Sequence, residues 1–264
     1  MNKIKANGID VNYRVDGSEK APVVMFSNSL MSNYEMWDCT LPAFSKYRVL
    51  RYDTRGHGGT QVTPAPYSIE LLAQDAAELI KSLGVGPVHF VGLSMGGMIG
   101  QYLGANYPEL IRSLSLCDTA SEMPPRHLWA ERLEIAKTQG IAGLVDGTIK
   151  RWFNKGFVES KPEEIAKVKA MIIGTPLEGY TGCASAVRDM SQTTMLLKIK
   201  APTLIVTGRQ DPACTIDQAM VLHKVIEHSK FSIIENAAHL ANIEQPEQFN
   251  KLVGEFIDSL STKS

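Results

Sequence analysis

Pro87-Val88-His89-Phe90-Val91-Gly92-Leu93-Ser94-Met95-Gly96-Gly97-Met98-Ile99-Gly100 decides the architecture. Its first five residues form a short apolar run of strand character. Gly92-Leu93-Ser94-Met95-Gly96 is a G-x-S-x-G element, and the stretch after it reads as a helix stopped by Pro108. A serine on so sharp a strand-to-helix turn lifts its hydroxyl above the sheet edge. Glycine is needed at the flanking positions, where a Cβ would clash. The free N–H groups at the start of such a helix also face any oxyanion that develops there.

Outward from this turn, Val23–Ser27, Tyr47–Tyr52, Ser113–Cys117, Thr203–Thr207 and Phe231–Glu235 read as further strands. Lys3–Ala6 and Ile9–Val15 are joined by a hairpin turn at Asn7-Gly8. Helices are expected near Ile69–Leu83, Ile216–Glu227 and Pro246–Leu260. Strands alternating with helices predict an α/β fold, a mostly parallel sheet covered by helices on both faces. From about Glu122 to Thr194 the rhythm breaks. His127–Gln139, Gly143–Phe153 and Pro162–Ile173 have helical spacing, with no convincing strand between them. Residues 1–121 and 195–264 are therefore expected to form the core. Residues 122–194 form a helical cap or lid inserted after the strand ending near Cys117; ordinary surface helices are the plainer alternative.

The bulk properties narrow the function. At 264 residues the chain can bury a sizeable core, and 44% hydrophobic with 21% charged residues fits a soluble protein. A net charge of −1 argues against nucleic acid or an anionic membrane as a partner. Neither a leader-like apolar segment nor a membrane-spanning run is visible. Cys39, Cys117, Cys183 and Cys214 are scattered without a C-x-x-C pair, as expected of buried or half-buried thiols in a reducing cytoplasm. No metal-ligand spacing appears, and Gly56-His57-Gly58-Gly59 lacks the Lys-Ser/Thr of a phosphate loop. No metal or cofactor is expected.

A serine hydroxyl needs a base within reach and a third group to orient that base. His239 follows the strand at Phe231–Glu235, in a loop at a carboxyl end of the sheet, where reacting groups collect. His57, in a glycine-rich loop after another strand, is its rival. His89 is expected to be packed, and His223 and His228 solvated. The chain order serine, acid, histidine accompanies this serine turn and favours His239. Asp211, directly after Thr203–Thr207, is then the orienting acid, with Asp118 as the fallback. Asp53 reads as a structural loop residue beside Arg55. The oxyanion donors are expected at the amides of Met95 and Leu30, the latter in the loop after Val23–Ser27.

These residues resemble the α/β-hydrolases and, more narrowly, the 3-oxoadipate enol-lactonases of the β-ketoadipate pathway. The narrower likeness rests on Ser27-Asn28-Ser29-Leu30, Met36-Trp37, Arg48 through Gly58, Gly92 through Gly97 and Arg151-Trp152-Phe153. It also rests on Thr175-Pro176, Glu178-Gly179-Tyr180, Ala186 through Asp189 and Ala238 through Pro246. Asn28-Ser29-Leu30 in place of the commoner His-Gly is the more specific mark. Two departures stand out: Met31, where such lactonases usually carry glycine, and Arg209-Gln210 ahead of Asp211.

The resemblance implies a cytoplasmic enzyme of aromatic-compound catabolism that opens a small anionic lactone through an acyl-serine, with no cofactor. The lid then holds candidates for binding the substrate carboxylate: Arg126, Arg132, Arg151 and Arg188. Trp129 and Trp152 would be walls, although Trp152 reads equally well as core packing. Alternatives of the same fold are a small-ester carboxylesterase, a cofactor-free perhydrolase or a carbon–carbon hydrolase. A ligand-sensing protein on this fold is the alternative of another class. The sequence leaves the oligomeric state open.

Overall fold

A computed structural model of the chain describes residues 2–261. Eight strands form one sheet in the order β1-β2-β4-β3-β5-β6-β7-β8. They are β1 Asn2–Ala6, β2 Ile9–Asp16, β3 Val23–Ser27, β4 Arg48–Tyr52, β5 Val88–Leu93, β6 Ile111–Cys117, β7 Thr203–Gly208 and β8 Lys230–Ile234. The β1–β2 and β2–β4 pairs are antiparallel and the rest parallel. Asn7 and Gly8 turn the first hairpin with φ of 48° and 77°, the left-handed backbone that Asn-Gly permits. Every expected strand is present; only the ends move, as at β8, which starts and stops one residue early.

Strands β3, β5 and β7 are buried along their whole length, as strands covered on both faces must be. Met25 and Phe90 are register partners and so share a face. Phe90 lies under Gly100 of α2 (Met95–Asn106), where a Cβ would touch its ring. Phe26, one residue on from Met25, points the other way. Its ring meets Trp37 at 4.7 Å and Phe44 at 5.3 Å, and Trp37 meets Phe249 of α10 (Pro246–Ser261) at 6.0 Å. Each such aromatic pair adds about 0.5–1.5 kcal/mol beyond area burial.

The first long helix, α1 (Ile69–Leu83), shows how locally the ends are written. The Ser68 side chain accepts from the Leu71 amide at its start, and Gly84 closes it with φ 62°. Leu72, Ala73, Ala76, Leu79 and Ile80 make its buried stripe. No helix among the described residues is long and apolar enough to cross a membrane.

Between β6 and β7 the chain is helical: α3 Arg126–Gln139, α4 Val145–Trp152, α5 Lys155–Ser160, α6 Pro162–Ile173 and α7 Leu177–Asp189. Several details differ from the sequence reading, which has no helix at α5. Gly143–Phe153 is not one helix; a 3-10 turn at Ile141–Leu144 precedes α4. The sequence reading also lacks α7, whose Gly179 and Gly182 are poor helix formers. Both glycines serve close packing: a Cβ on Gly179 would strike the Gly56 backbone, and one on Gly182 the Tyr67 ring. Tertiary contact thus overrides local propensity there.

After this segment come α8 (Ile216–Val225) and the one-turn α9 (Ala241–Glu244). His223 in α8 is not solvated as expected. It is half-buried, with Nδ1 2.9 Å from Ser229 Oγ and its ring stacked 5.7 Å from Phe231, whereas His228 is exposed. Of the four free thiols, Cys117, Cys183 and Cys214 are buried; Cys39 is exposed, contrary to expectation.

Candidate active site

The G-x-S-x-G residues occupy the junction of β5 and α2, and Ser94 takes φ 56°, ψ −116°. A Cβ on Gly92 would run into the Gly96 carbonyl, and one on Gly96 into the Ser27 carbonyl. Both glycines are therefore conditions for the turn. The neighbouring strand holds it in place: the Ser94 amide donates to the Cys117 carbonyl at 2.9 Å, and Thr119 Oγ1 donates to the Ser94 carbonyl at 2.8 Å.

Asp211 and His239 come together at the carboxyl ends of β7 and β8. Asp211 Oδ2 lies 2.8 Å from His239 Nδ1, and both side chains are almost wholly buried. The other oxygen, Oδ1, accepts from the amides of Ala213 and Cys214 at 2.7 and 3.0 Å. These bonds fix the carboxylate before it meets the imidazole. The His239 ring and Ser94 line one cavity. Cys214 completes the one group of metal-ligand types found among the described residues, with donor atoms within 4.8 Å of one another. The donor chemistry fits a proton better than an ion. Both Asp211 oxygens are engaged, and burial pushes the Cys214 thiol well above its ordinary value.

The two competing residues have other work. Asp118 does not meet His239; its Oδ1 accepts from the Gly208 amide at 2.7 Å, tying β6 to the start of the Asp211 loop. Burial first, and the Asp211 charge second, raise its carboxyl well above the ordinary value. His57 is fully buried and lies outside the cavity. His89 is buried against Ser113 Oγ at 2.8 Å. Asp53 is structural, accepting from Asn12 Nδ2, the Gly59 amide and the Tyr34 amide at 2.7–2.8 Å. Its neighbour Arg55 pairs with Asp75 instead.

Leu30 and Met95 are both buried and line or adjoin the cavity at Ser94. Neither amide has a protein acceptor among the described residues. Asn28 braces the Leu30 loop: its Nδ2 donates to the Tyr52 carbonyl at 2.7 Å, and its Oδ1 accepts from Trp37 Nε1 at 2.8 Å. This gives the asparagine a structural reason. Met31 follows with φ 66°, a left-handed backbone that suits glycine and that methionine occupies here.

The cavity, about 50 Å³, is roofed by the helical segment. Trp129 and Arg132 reach it from α3, Thr148, Arg151 and Trp152 from α4, and Tyr180 and Val187 from α7. Trp129 and Trp152 are thus walls, and the Trp152 ring sits 6.4 Å from that of His239. The Arg132 guanidinium lies over the Trp129 ring at 4.7 Å. Arg151 Nη2 donates to Thr148 Oγ1 at 3.1 Å. Burial, then the charge of Arg132, lowers Arg151 to about 10. No carboxylate of the described residues lies within ion-pair distance of either arginine, so two unpaired cations face the cavity, with Glu131 acting on Arg132 only from farther off. Arg188 is paired with Asp189, and neither it nor the exposed Arg126 lines the cavity. Arg209 pairs with Glu235 at the surface. The sequence reading did not single out Tyr180 or Thr148 for the site.

The segment is also bolted to the histidine loop. Leu240 donates its amide to the Trp152 carbonyl at 3.1 Å. Glu244 accepts from the Asn154 amide at 2.9 Å through Oε1 and from the Ala238 amide at 2.7 Å through Oε2.

A family model described as the α/β-hydrolase fold matches residues 22–246. The chain belongs to the α/β-hydrolase family. Among its relatives, 3-oxoadipate enol-lactonase 2 of Acinetobacter baylyi is 34% identical over 251 residues, covering 95% of this chain and 94% of that one. 3-Oxoadipate enol-lactonase 1 of the same organism is 33% identical, covering 96% and 95%. Among solved α/β-hydrolases, the enol-lactonase of Burkholderia xenovorans LB400 superposes with a TM-score of 0.95. It is 34% identical and covers 97% of this chain and 100% of that one. A thermophilic esterase from Thermogutta terrifontis, solved with malate bound, gives 0.91 at 26% identity, covering 98% and 99%.

Proposed function

We propose that this α/β-hydrolase opens the ring of 3-oxoadipate enol-lactone, or of a close carboxylated lactone, through an acyl-Ser94 intermediate. The observation that carries the substrate class is the pair Arg132 and Arg151. Two half-buried guanidinium groups without a salt-bridge partner share a cavity with Ser94 and suit one small anion. Likeness to the enol-lactonases across nearly the whole chain supports the same reading.

In this reading Ser94 Oγ attacks the lactone carbonyl and His239 Nε2 takes its proton. Asp211 holds Nδ1–H and stabilises the imidazolium. The Leu30 and Met95 amides receive the oxyanion. Collapse expels the enolate oxygen, which takes up the proton held on His239 Nε2, so the ring opens to an enol on the acyl-serine and the imidazole is neutral again. Water then attacks the acyl carbon with His239 again as base, releasing the free acid, and the enol becomes the ketone. Residues 122–194 act as a lid that supplies the anion site and excludes water.

Spectrophotometric ring opening of the enol-lactone, run beside p-nitrophenyl acetate, tests the proposal. Preferred turnover of the lactone is expected, abolished in Ser94→Ala with the fold intact. Faster turnover of the simple ester moves the assignment to a carboxylesterase, and no turnover of either to a ligand-sensing role.

A further inference from the structure

His57 does not line the cavity, yet both of its ring nitrogens are engaged. Its Nε2 accepts from the Met31 amide at 3.0 Å, across 26 residues of chain, while Nδ1 faces the Arg55 carbonyl at 3.3 Å. That pair fixes the tautomer: Nδ1 carries the proton and Nε2 offers a lone pair. The ring is fully buried, and burial lowers its pKa to about 4, so it remains an acceptor through the neutral range. On the other side of the bond Met31 holds φ 66°, which a residue with a Cβ rarely adopts. The residue before it, Leu30, lines the cavity with Ser94, and its amide has no protein acceptor among the described residues.

We propose that His57 is a positioning residue for the oxyanion site. By engaging the Met31 amide it holds Met31 in the left-handed conformation and so aims the Leu30 N–H at the carbonyl oxygen of the substrate. Glycine at position 31 would take that conformation without help; methionine needs the anchor. The inference rests on the acyl-serine reading and deepens it.

The test is a cycle of His57→Leu and Met31→Gly, with His57→Gln as the conservative variant, since a Gln carbonyl can stand where Nε2 accepts. Circular dichroism checks folding, and kcat and KM are read on the enol-lactone and on p-nitrophenyl acetate. Loss of one oxyanion donor costs about 10²–10³ in kcat, and misaiming one should cost roughly 10- to 100-fold with KM little changed. His57→Gln should recover most of that loss. In the Met31→Gly background His57→Leu should cost less than about fivefold, because glycine takes the left-handed conformation without the bond that offsets the strain. An unchanged kcat in folded His57→Leu overturns the inference. So does an equal loss in both backgrounds, or a loss that His57→Gln leaves in place. A wild-type protein without turnover, or an active Ser94→Ala, would instead sink the hydrolase reading itself.

Discussion

The loops at the carboxyl end of the sheet and the helical segment above them build one cavity by different means. The sheet loops are over-determined. Ser94 is fixed by two glycines, a β6 carbonyl and Thr119; Asp211 by two backbone amides; the Leu30 loop by Asn28 and His57. The helices contribute seven side chains from three elements, and they join the histidine loop through Glu244 and the Leu240–Trp152 bond. In this account the sheet loops carry the chemistry and the helices choose what is processed. Mutations in the first should therefore strike kcat, and in the second KM or stability.

The sharpest break of that contrast is Ser94→Ala, expected to lower kcat by about 10⁴- to 10⁶-fold with an unchanged melting temperature. Residual turnover within a factor of ten of wild type would remove Ser94 from the chemistry. Next comes the choice between two buried acids. Asp211→Asn should lower kcat by about 10³- to 10⁴-fold through the wrong His239 tautomer. Asp118→Asn should change it less than about threefold, and the reverse order would reassign the acid.

Glu244 tests the joint between the regions. Glu244→Ala strips the acceptor from two amides, at a cost of about 1–3 kcal/mol per buried unsatisfied group. A fall of several degrees in melting temperature is expected, with Glu244→Gln intermediate; an unchanged midpoint would mean the joint is idle.

The smallest effect is a pH slope. Asp118 holds its proton more tightly in the folded than in the unfolded chain. Its contribution to stability is thus complete below the ordinary value of 3.8 and declines as pH rises toward its raised folded value. Asp118→Asn removes that decline, so its urea midpoint relative to wild type should be higher at pH 7 than at pH 4.5. Equal differences at the two pH values would contradict the assignment.

The same contrast governs how far the sequence could be read. The serine turn, Asp211 and His239 were legible because each follows a strand whose apolar run is unmistakable, and because a tight turn restricts residue type. The hairpin at Asn7-Gly8 was legible for the same reason. Above the sheet, α3 and α6 were legible as helices, but which of their side chains reach the cavity was not. A cavity wall such as Trp152 reads like a core residue until its neighbours are placed, and α7 carries glycines that obscure it. Arg132 and Arg151 could not be told from Arg188, since only the fold shows which arginine lacks a carboxylate. The bond from His57 to Met31 spans two loops, and no local pattern announces it.

The most direct measurement compares kcat/KM for the carboxylated enol-lactone with that for its methyl ester, in wild type and in Arg132→Leu/Arg151→Leu. The account predicts that wild type favours the anion, and that the double variant loses about 10- to 100-fold on it, mostly in KM, as befits charge-assisted bonds. Turnover of the neutral ester should stay within a few fold. Equal losses on both substrates, or a wild type indifferent to the charge, would contradict the claim that the arginine pair selects an anionic lactone.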